Sequence, residues 1–266
     1  MTSGAGAIRP PFCCSRTMAH YIQRPMGRTK QGARATTSRS FPARLIGWIG
    51  KAVVGFLLIS VGMTVVYKWV PVPLTLTMIM DPNGFEKSWT PLSRIDRDMV
   101  AAVIAGEDAK FCTHKGFDAE AIEKAIERNA RSNRLRGGST ISQQTAKNVF
   151  LWQGTGWTRY ARKGLEVWFT FLIENIWGKR RIMEVYLNVA ETGIGTYGVE
   201  AGAQRYFRHS AAQLTRVEAA RIAAALPAPK RREVVSPGGF TRRHGNTIAA
   251  RSGVVRNAAL DACVYR

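Results

Sequence analysis

Glu107 and Asp108 open the stretch Glu107-Asp108-Ala109-Lys110-Phe111-Cys112-Thr113-His114-Lys115-Gly116-Phe117-Asp118, and a carboxylate so placed could serve as a general base. Neighbouring residues on a helix point about 100° apart, so these two acids do not form one paired site. Taken alone they read more readily as the solvated end of a helix, and His114 as a satisfied structural histidine. A second stretch, Arg136-Gly137-Gly138-Ser139-Thr140-Ile141-Ser142-Gln143-Gln144-Thr145-Ala146-Lys147-Asn148, places two glycines, which let backbone approach a ligand, before a helix start whose free N–H groups suit an anion. A well-capped helix explains the same residues. Glu166 is the third candidate, set among Leu165, Trp168 and Phe169 behind the basic pair Arg162-Lys163. Burying an isolated charge costs several kcal/mol, so this carboxylate must pair or stay protonated. A structural salt bridge to a nearby arginine would satisfy that requirement without any chemistry.

The elements that must position these residues read as mostly α-helical. Helical spacing covers 94–109 and 118–132; Ser139-Thr140 with Gln143 resembles a capping box opening the next helix. Residues 163–177 are apolar nearly all round, which marks a buried central helix. Further helices fall at 179–189 and 213–226, the last ending at Pro227-Ala228-Pro229. Val/Ile alternation is scarce, and there is no internal repeat.

With 266 residues and 45% apolar content, the chain can bury one good-sized core. Thirty-nine basic against 18 acidic residues give a net charge of +21, which points to an anionic partner: nucleic acid, a phospholipid surface or a phosphorylated substrate. Cys13, Cys14, Cys112 and Cys263 show no metal-ligand spacing and no disulfide framework. Four plain thiols are expected, although a Cys112–Cys263 bridge stays open in an oxidising compartment.

Residues 1–44 carry eight Lys or Arg and no acid and read as a disordered basic tail, with Met18 and Met26 as alternative starts. Residues 45–70 turn apolar. Their uncharged run, 52–67, falls short of the ~20 residues that span a bilayer, but Lys51 and Lys68 can snorkel, and Trp48, Tyr67 and Trp69 suit the interfaces. The long basic region ahead and the lack of an A-x-A-like site argue against a cleaved signal peptide. An uncleaved anchor is therefore expected, with the basic tail cytoplasmic and everything after about Pro71 on the outer side.

Five motifs in order resemble the glycosyltransferase domain of glycosyltransferase family 51, in particular its monofunctional biosynthetic transglycosylases. They are Glu107-Asp108-x-x-Phe111-x-x-His114-x-Gly116-Phe117-Asp118; Gly137-Gly138-Ser139-Thr140-Ile141-x-Gln143-Gln144 with Lys147-Asn148; Arg162-Lys163-x-x-Glu166; Lys179-x-x-Ile182-x-Glu184-x-Tyr186-Leu187-Asn188; and Gly198-Val199-Glu200-Ala201 leading to Tyr206-Phe207. The likeness covers about residues 85–235. It implies a mainly α, lysozyme-like glycosyltransferase domain (71–266) in the periplasm, behind a single transmembrane helix (45–70) in the cell inner membrane.

The resemblance also implies a reaction. Lipid II would be polymerised into glycan strands as the 4-hydroxyl of an incoming GlcNAc attacks the donor's anomeric carbon with inversion, releasing undecaprenyl pyrophosphate. Glu107 matches the general base and Glu166 the second catalytic carboxylate. Lys147, Arg162 and Lys163 would neutralise the departing pyrophosphate. Ser139, Thr140, Gln143 and Gln144 match cleft-lining positions, with Asp108 and His114 holding the shape around Glu107. No cofactor or metal ligand is required, and a divalent cation is left open. The expected partners are lipid II, the growing strand, the membrane and other cell-wall synthesis or division proteins, with no nucleic acid.

Two departures stand out. The family's usual arginine ahead of the Arg-Lys pair is missing from a longer turn, Gly154-Thr155-Gly156-Trp157-Thr158-Arg159-Tyr160-Ala161, where Arg159 is the candidate replacement. Gly202 stands where alanine is common, with little effect expected. No Ser-x-x-Lys or Lys-Thr-Gly occurs, so the acyl-enzyme chemistry of a transpeptidase is not expected. One rival is a lytic glycosidase of lysozyme-like fold, which would not need the three cations because its leaving group is a sugar hydroxyl. The other is a non-enzymatic tethered module binding anionic lipid or nucleic acid, which would not need the ordered acidic motifs.

Overall fold

A computed structural model describes residues 41–130, 138–153 and 156–266. Residues 1–40 of the basic tail, with Cys13 and Cys14, lie outside the described residues, as do Arg136, Gly137, Gly154 and Thr155. The chain divides into two units, residues 1–47 and 48–266. Within the first, residues 41–47 are helical.

Helix α1 runs Phe41–Tyr67, about 40 Å at 1.5 Å per residue. Its stretch Arg44–Tyr67 is the one helix among the described residues long and apolar enough to cross a membrane. Most of its apolar side chains are exposed, as in an anchor and unlike a core helix. The helix continues through Lys51, whose Nζ lies 5.4 Å from the Trp48 ring; the apolar helical stretch, Arg44–Tyr67, is thus longer than the sixteen uncharged residues. Its last turns carry two hydroxyl residues that meet the domain. Trp168 Nε1 donates to Ser60 Oγ at 3.1 Å, and Trp177 Nε1 to the Thr64 carbonyl at 2.6 Å.

Beyond α1 come α2 (Leu76–Ile79), β1 (Glu86–Lys87), α3 (Arg97–Glu107), α4 (Ala119–Ala130), α5 (Ile141–Phe150), α6 (Thr158–Ile176) and α7 (Lys179–Val189). They are followed by β2 (Glu191–Gly193), β3 (Thr196–Tyr197), α8 (Val199–Phe207), α9 (Arg216–Ala225), α10 (Gly239–Asn257) and α11 (Ala262–Tyr265). The small sheet has the order β1-β3-β2, with β1 parallel and β2 antiparallel to β3. Two helical groups make the core: α3, α9 and α10 packed on one another, and α5 against α6 and α7. Residues 99–105 of α3 are all buried, and the helix is started by Asp96, whose side chain accepts from Asp98 N. Glu107, at its other end, meets α5 where the two groups join.

Three expectations change. Helix α6 begins at Thr158 and is amphipathic, not buried all round: Val167 and Phe171 are exposed, while Glu166, Phe169, Leu172 and Ile173 face inward. Helix α10 lies beyond the last expected helix. Its buried face is built from Gly245, Ile248, Ser252 and Val255, and it packs on the alanines of α9, with Ala220 and Ala224 about the Gly245 position. Close contact between small residues leaves no apolar periodicity to read. Finally, Cys112 and Cys263 are not thiols but a disulfide, their Cα atoms 5.5 Å apart, within the usual bridging range. The fold creates that proximity across 151 residues.

Candidate active site

Helix α3 delivers Glu107 and Asp108 to different tasks because consecutive side chains diverge. Glu107 Oε2 accepts a hydrogen bond from Gln144 Nε2 at 2.8 Å, and the hydroxyl of buried Tyr186 donates to Gln144 Oε1 at 3.4 Å. Tyr186 thus fixes the amide that in turn aims the carboxylate. Burial pushes the Glu107 carboxyl above its usual range, and the negative field of Asp108 adds to this. The Gln144 hydrogen bond and the charges of Arg232 and Lys147 oppose it.

Asp108 turns inward and is buried. Its two oxygens accept from His114 Nε2 at 2.9 and 3.0 Å, and Oδ2 also accepts from Ile141 N at 3.0 Å. The Gly116 amide donates to His114 Nδ1 at 3.1 Å, which assigns the ring proton to Nε2. Thr140 Oγ1 donates to the Gly116 carbonyl at 2.6 Å. Gly116 has φ +86, and a Cβ there would lie 2.8 Å from Thr170 Cγ2, so only glycine serves. These bonds fasten the end of α3, the loop after it and the start of α5 into one block. The capping box on α5 forms as its spelling implies: Gln143 N donates to Thr140 Oγ1 at 3.2 Å and Thr140 N to Gln143 Oε1 at 3.0 Å. Thr140 and Gln143 do border cavities, but these oxygens are committed to the cap. Ser139 is exposed and borders the same two cavities.

Lys147 lies one turn beyond Gln143 and Gln144 on the same face of α5. No side chain among the described residues hydrogen-bonds it. Burial pushes its pKa down, Glu166 and Glu107 push it up, and Arg162 and Lys163 push it down again; the cation sits in the fields of both glutamates. Glu166 is 4% exposed and pairs with Lys163, one turn earlier on α6, so lysine takes the part expected of arginine. Arg162 Nη1 donates to the Trp152 carbonyl at 3.1 Å, while its Nε is buried with no partner.

Three hollows surround these groups. One of about 470 Å³ is bordered by Ser139, Lys147, Arg159, Arg162, Lys163 and Glu166. Arg159, in the first turn of α6, therefore faces the same space as the Arg-Lys pair. A second, of about 560 Å³, is bordered by Gln144, Lys147, Tyr186, Asp81, Lys230 and Arg231. A third, of about 270 Å³, holds Glu107, Asp108 and Ser139. Lys147 borders the first two. Neither Tyr186, Arg232 nor the Asp81–Lys230 pair (2.9 Å) stood out as a site residue in the sequence; the run Lys230-Arg231-Arg232 after a proline-rich stretch was the available signal. Among the described residues no cluster of three or more His, Cys, Asp or Glu is arranged to hold a metal ion.

The geometry provides a half-buried carboxyl, Glu107, with a raised pKa, and a hollow lined by Lys147, Arg162 and Lys163. A family model described as transglycosylase matches residues 75–252. The chain is 50% identical over 203 residues to a biosynthetic peptidoglycan transglycosylase of Caulobacter vibrioides, covering 75% of this chain and 87% of that one. It is 44% identical over 225 residues to the protein of the same name from Rhodospirillum centenum, covering 83% and 96%. With that of Bdellovibrio bacteriovorus it shares 47% over 215 residues, covering 76% and 85%.

Proposed function

Because the chain belongs to the transglycosylase family, and is thereby a peptidoglycan glycosyltransferase of mainly helical, lysozyme-like fold, we propose that it polymerises lipid II into β-1,4-linked glycan with release of undecaprenyl pyrophosphate. The observation that carries this reading is the position of Lys147, in the fields of both Glu107 and Glu166 and on the wall shared by two hollows.

A sugar hydroxyl is a weak nucleophile, so a base must take its proton as the new bond forms. Glu107 does this, its carboxylate aimed by Gln144. On the opposite side of the anomeric carbon the bond to pyrophosphate breaks, which makes the displacement inverting. Lys147, Arg162 and Lys163 meet the growing negative charge, with Arg159 as a fourth cation and the unpartnered Arg162 Nε as a donor in waiting. Glu166 keeps Lys163 in place. The reaction needs no resident cofactor, and a divalent cation would enter with the pyrophosphate. A glycosidase releasing a sugar hydroxyl has no use for this cation set.

In the same reading residues 1–44 are a cytoplasmic tail, 45–70 span the inner membrane and 71–266 form the periplasmic domain, since basic flanks stay inside. The contacts of Trp168 and Trp177 with α1 support a site held close to the membrane, where a lipid-linked substrate is presented. Incubating the detergent-solubilised chain with labelled lipid II and separating polymer from monomer tests the proposal. Release of fragments from finished peptidoglycan, with lipid II left intact, would replace it by the lytic reading.

A further inference from the structure

The C-terminal end of the chain closes on the catalytic loop. Cys112 lies between Asp108 and His114, and its sulfur is bonded to that of Cys263 in α11. The residues around Cys263 are themselves held. Fully buried Asp261 accepts from Arg97 Nε and Nη2, both at 2.7 Å. Arg180 Nη1 donates to the Val264 carbonyl at 3.1 Å, and the Val264 side chain is buried. Arg97 is the first residue of α3 and Glu107 the last. Residues 261–264 therefore grip the base-bearing helix at its start and, through the disulfide, the loop that follows its end.

That loop carries the connection from Asp108 and His114 to Ile141 at the start of α5, and α5 carries the Gln144 that aims Glu107. We propose that the Cys112–Cys263 disulfide is a positioning element of the reaction, so that glycan polymerisation responds to the redox state of these two sulfurs. The proposal rests on the reading of Glu107 as the base. Reduction by a dithiol delivers two electrons and two protons, breaks the S–S bond and leaves two thiols; exchange with a disulfide donor reverses it. Both cysteines are partly exposed, so exchange requires no unfolding. Once the bond is open the loop keeps its hydrogen bonds but loses its tie to α11. The register between α3 and the start of α5 then rests on those hydrogen bonds alone, so the direction in which Gln144 holds Glu107 is less fixed, and small misplacements of this kind act on turnover. The cationic hollow is bordered by Lys147, Arg162 and Lys163 of α5 and α6 and by neither cysteine, so substrate capture is expected to stay intact.

The test uses the full chain in detergent as oxidised wild type, as protein reduced with dithiothreitol, and as the same sample reoxidised with glutathione disulfide, beside Cys112→Ser and Cys263→Ser. Thiols are counted by maleimide labelling, folding is followed by circular dichroism melts, and lipid II polymerisation is measured against substrate concentration and pH. Reduction should expose two further thiols, lower kcat about tenfold with KM nearly unchanged, and be undone by reoxidation. Both serine variants should start at the reduced level and ignore dithiothreitol. Full kcat in folded, reduced protein would make the bond a plain staple and overturn the inference, as would a loss that merely tracks the unfolded fraction or the absence of the bond in oxidised protein. If the oxidised wild type fails to polymerise lipid II at all, it is the functional reading that falls first, and the two failures are told apart.

Discussion

Gln144 Nε2 donates to Glu107 Oε2 at 2.8 Å across 37 residues of sequence, and it does so while its own oxygen is held by Tyr186. This relay gives the Glu107 carboxyl a fixed direction and partly offsets the burial that raises its pKa.

Replacing Glu107 by Gln should abolish polymerisation and leave the fold intact, because the amide can still accept from Gln144 but cannot take a proton. A carboxyl whose folded pKa is raised adds stability only while protonated, and this is lost as pH rises through the folded value. At neutral pH the Gln variant should therefore melt at or above the wild-type temperature. Near-normal polymer yield would remove Glu107 from the mechanism.

The pH profile of the wild type should follow from the same shift. The base works ionised, so the rate falls as pH drops through a pKa above the ordinary carboxylate range. The Gln144 hydrogen bond lowers that pKa, so Gln144→Ala should move the acid limb to still higher pH. An unmoved limb in the initial-rate profile would show that another group governs it.

Asp108 collects donors from His114 and Ile141 in a buried setting. Asp108→Ala should cost about 2–4 kcal/mol in denaturant-melt stability, since it strands buried donors that had a charged partner. An unchanged melt would mean that water replaces the carboxylate.

Lys147→Ala should reduce polymerisation about a hundredfold, the usual loss for one well-placed electrostatic donor of ~3 kcal/mol, with turnover affected more than binding. Lys147→Arg should recover part of it, because charge returns with different geometry. In the same assay a comparable loss in Arg159→Ala would identify Arg159 as the replacement for the family's missing arginine; wild-type rates would place it in solvent. Normal turnover by Lys147→Ala would defeat the pyrophosphate argument.

Topology is separately accessible. A reporter fused after Arg266 should behave as periplasmic, and one fused before Ile46 as cytoplasmic. The reverse pattern would overturn both the orientation and the assignment of lipid II as substrate.

Spelling alone determined a good deal of this protein. The apolar run at 45–70 is legible as a helix long and apolar enough to cross a membrane because that is a matter of local composition, and the Thr140/Gln143 cap is local chemistry over three residues. The acids and cations of the ordered motifs are equally visible, as is the need of Glu166 for a partner. What the tertiary structure decided lies in relations over long separations. Tyr186 stands behind Gln144; Cys112 reaches Cys263; and α10 packs on α9 through glycine, serine and alanine. Gly202 belongs here too: a Cβ there would come within 2.8 Å of Thr192 Oγ1, so the glycine that looked incidental keeps α8 close to β2. Periodicity and motif spacing register what a residue is and what stands within a turn or two of it. They carry no term for which distant backbone arrives beside it, and that arrival is what fixes a base, a tie or a close contact.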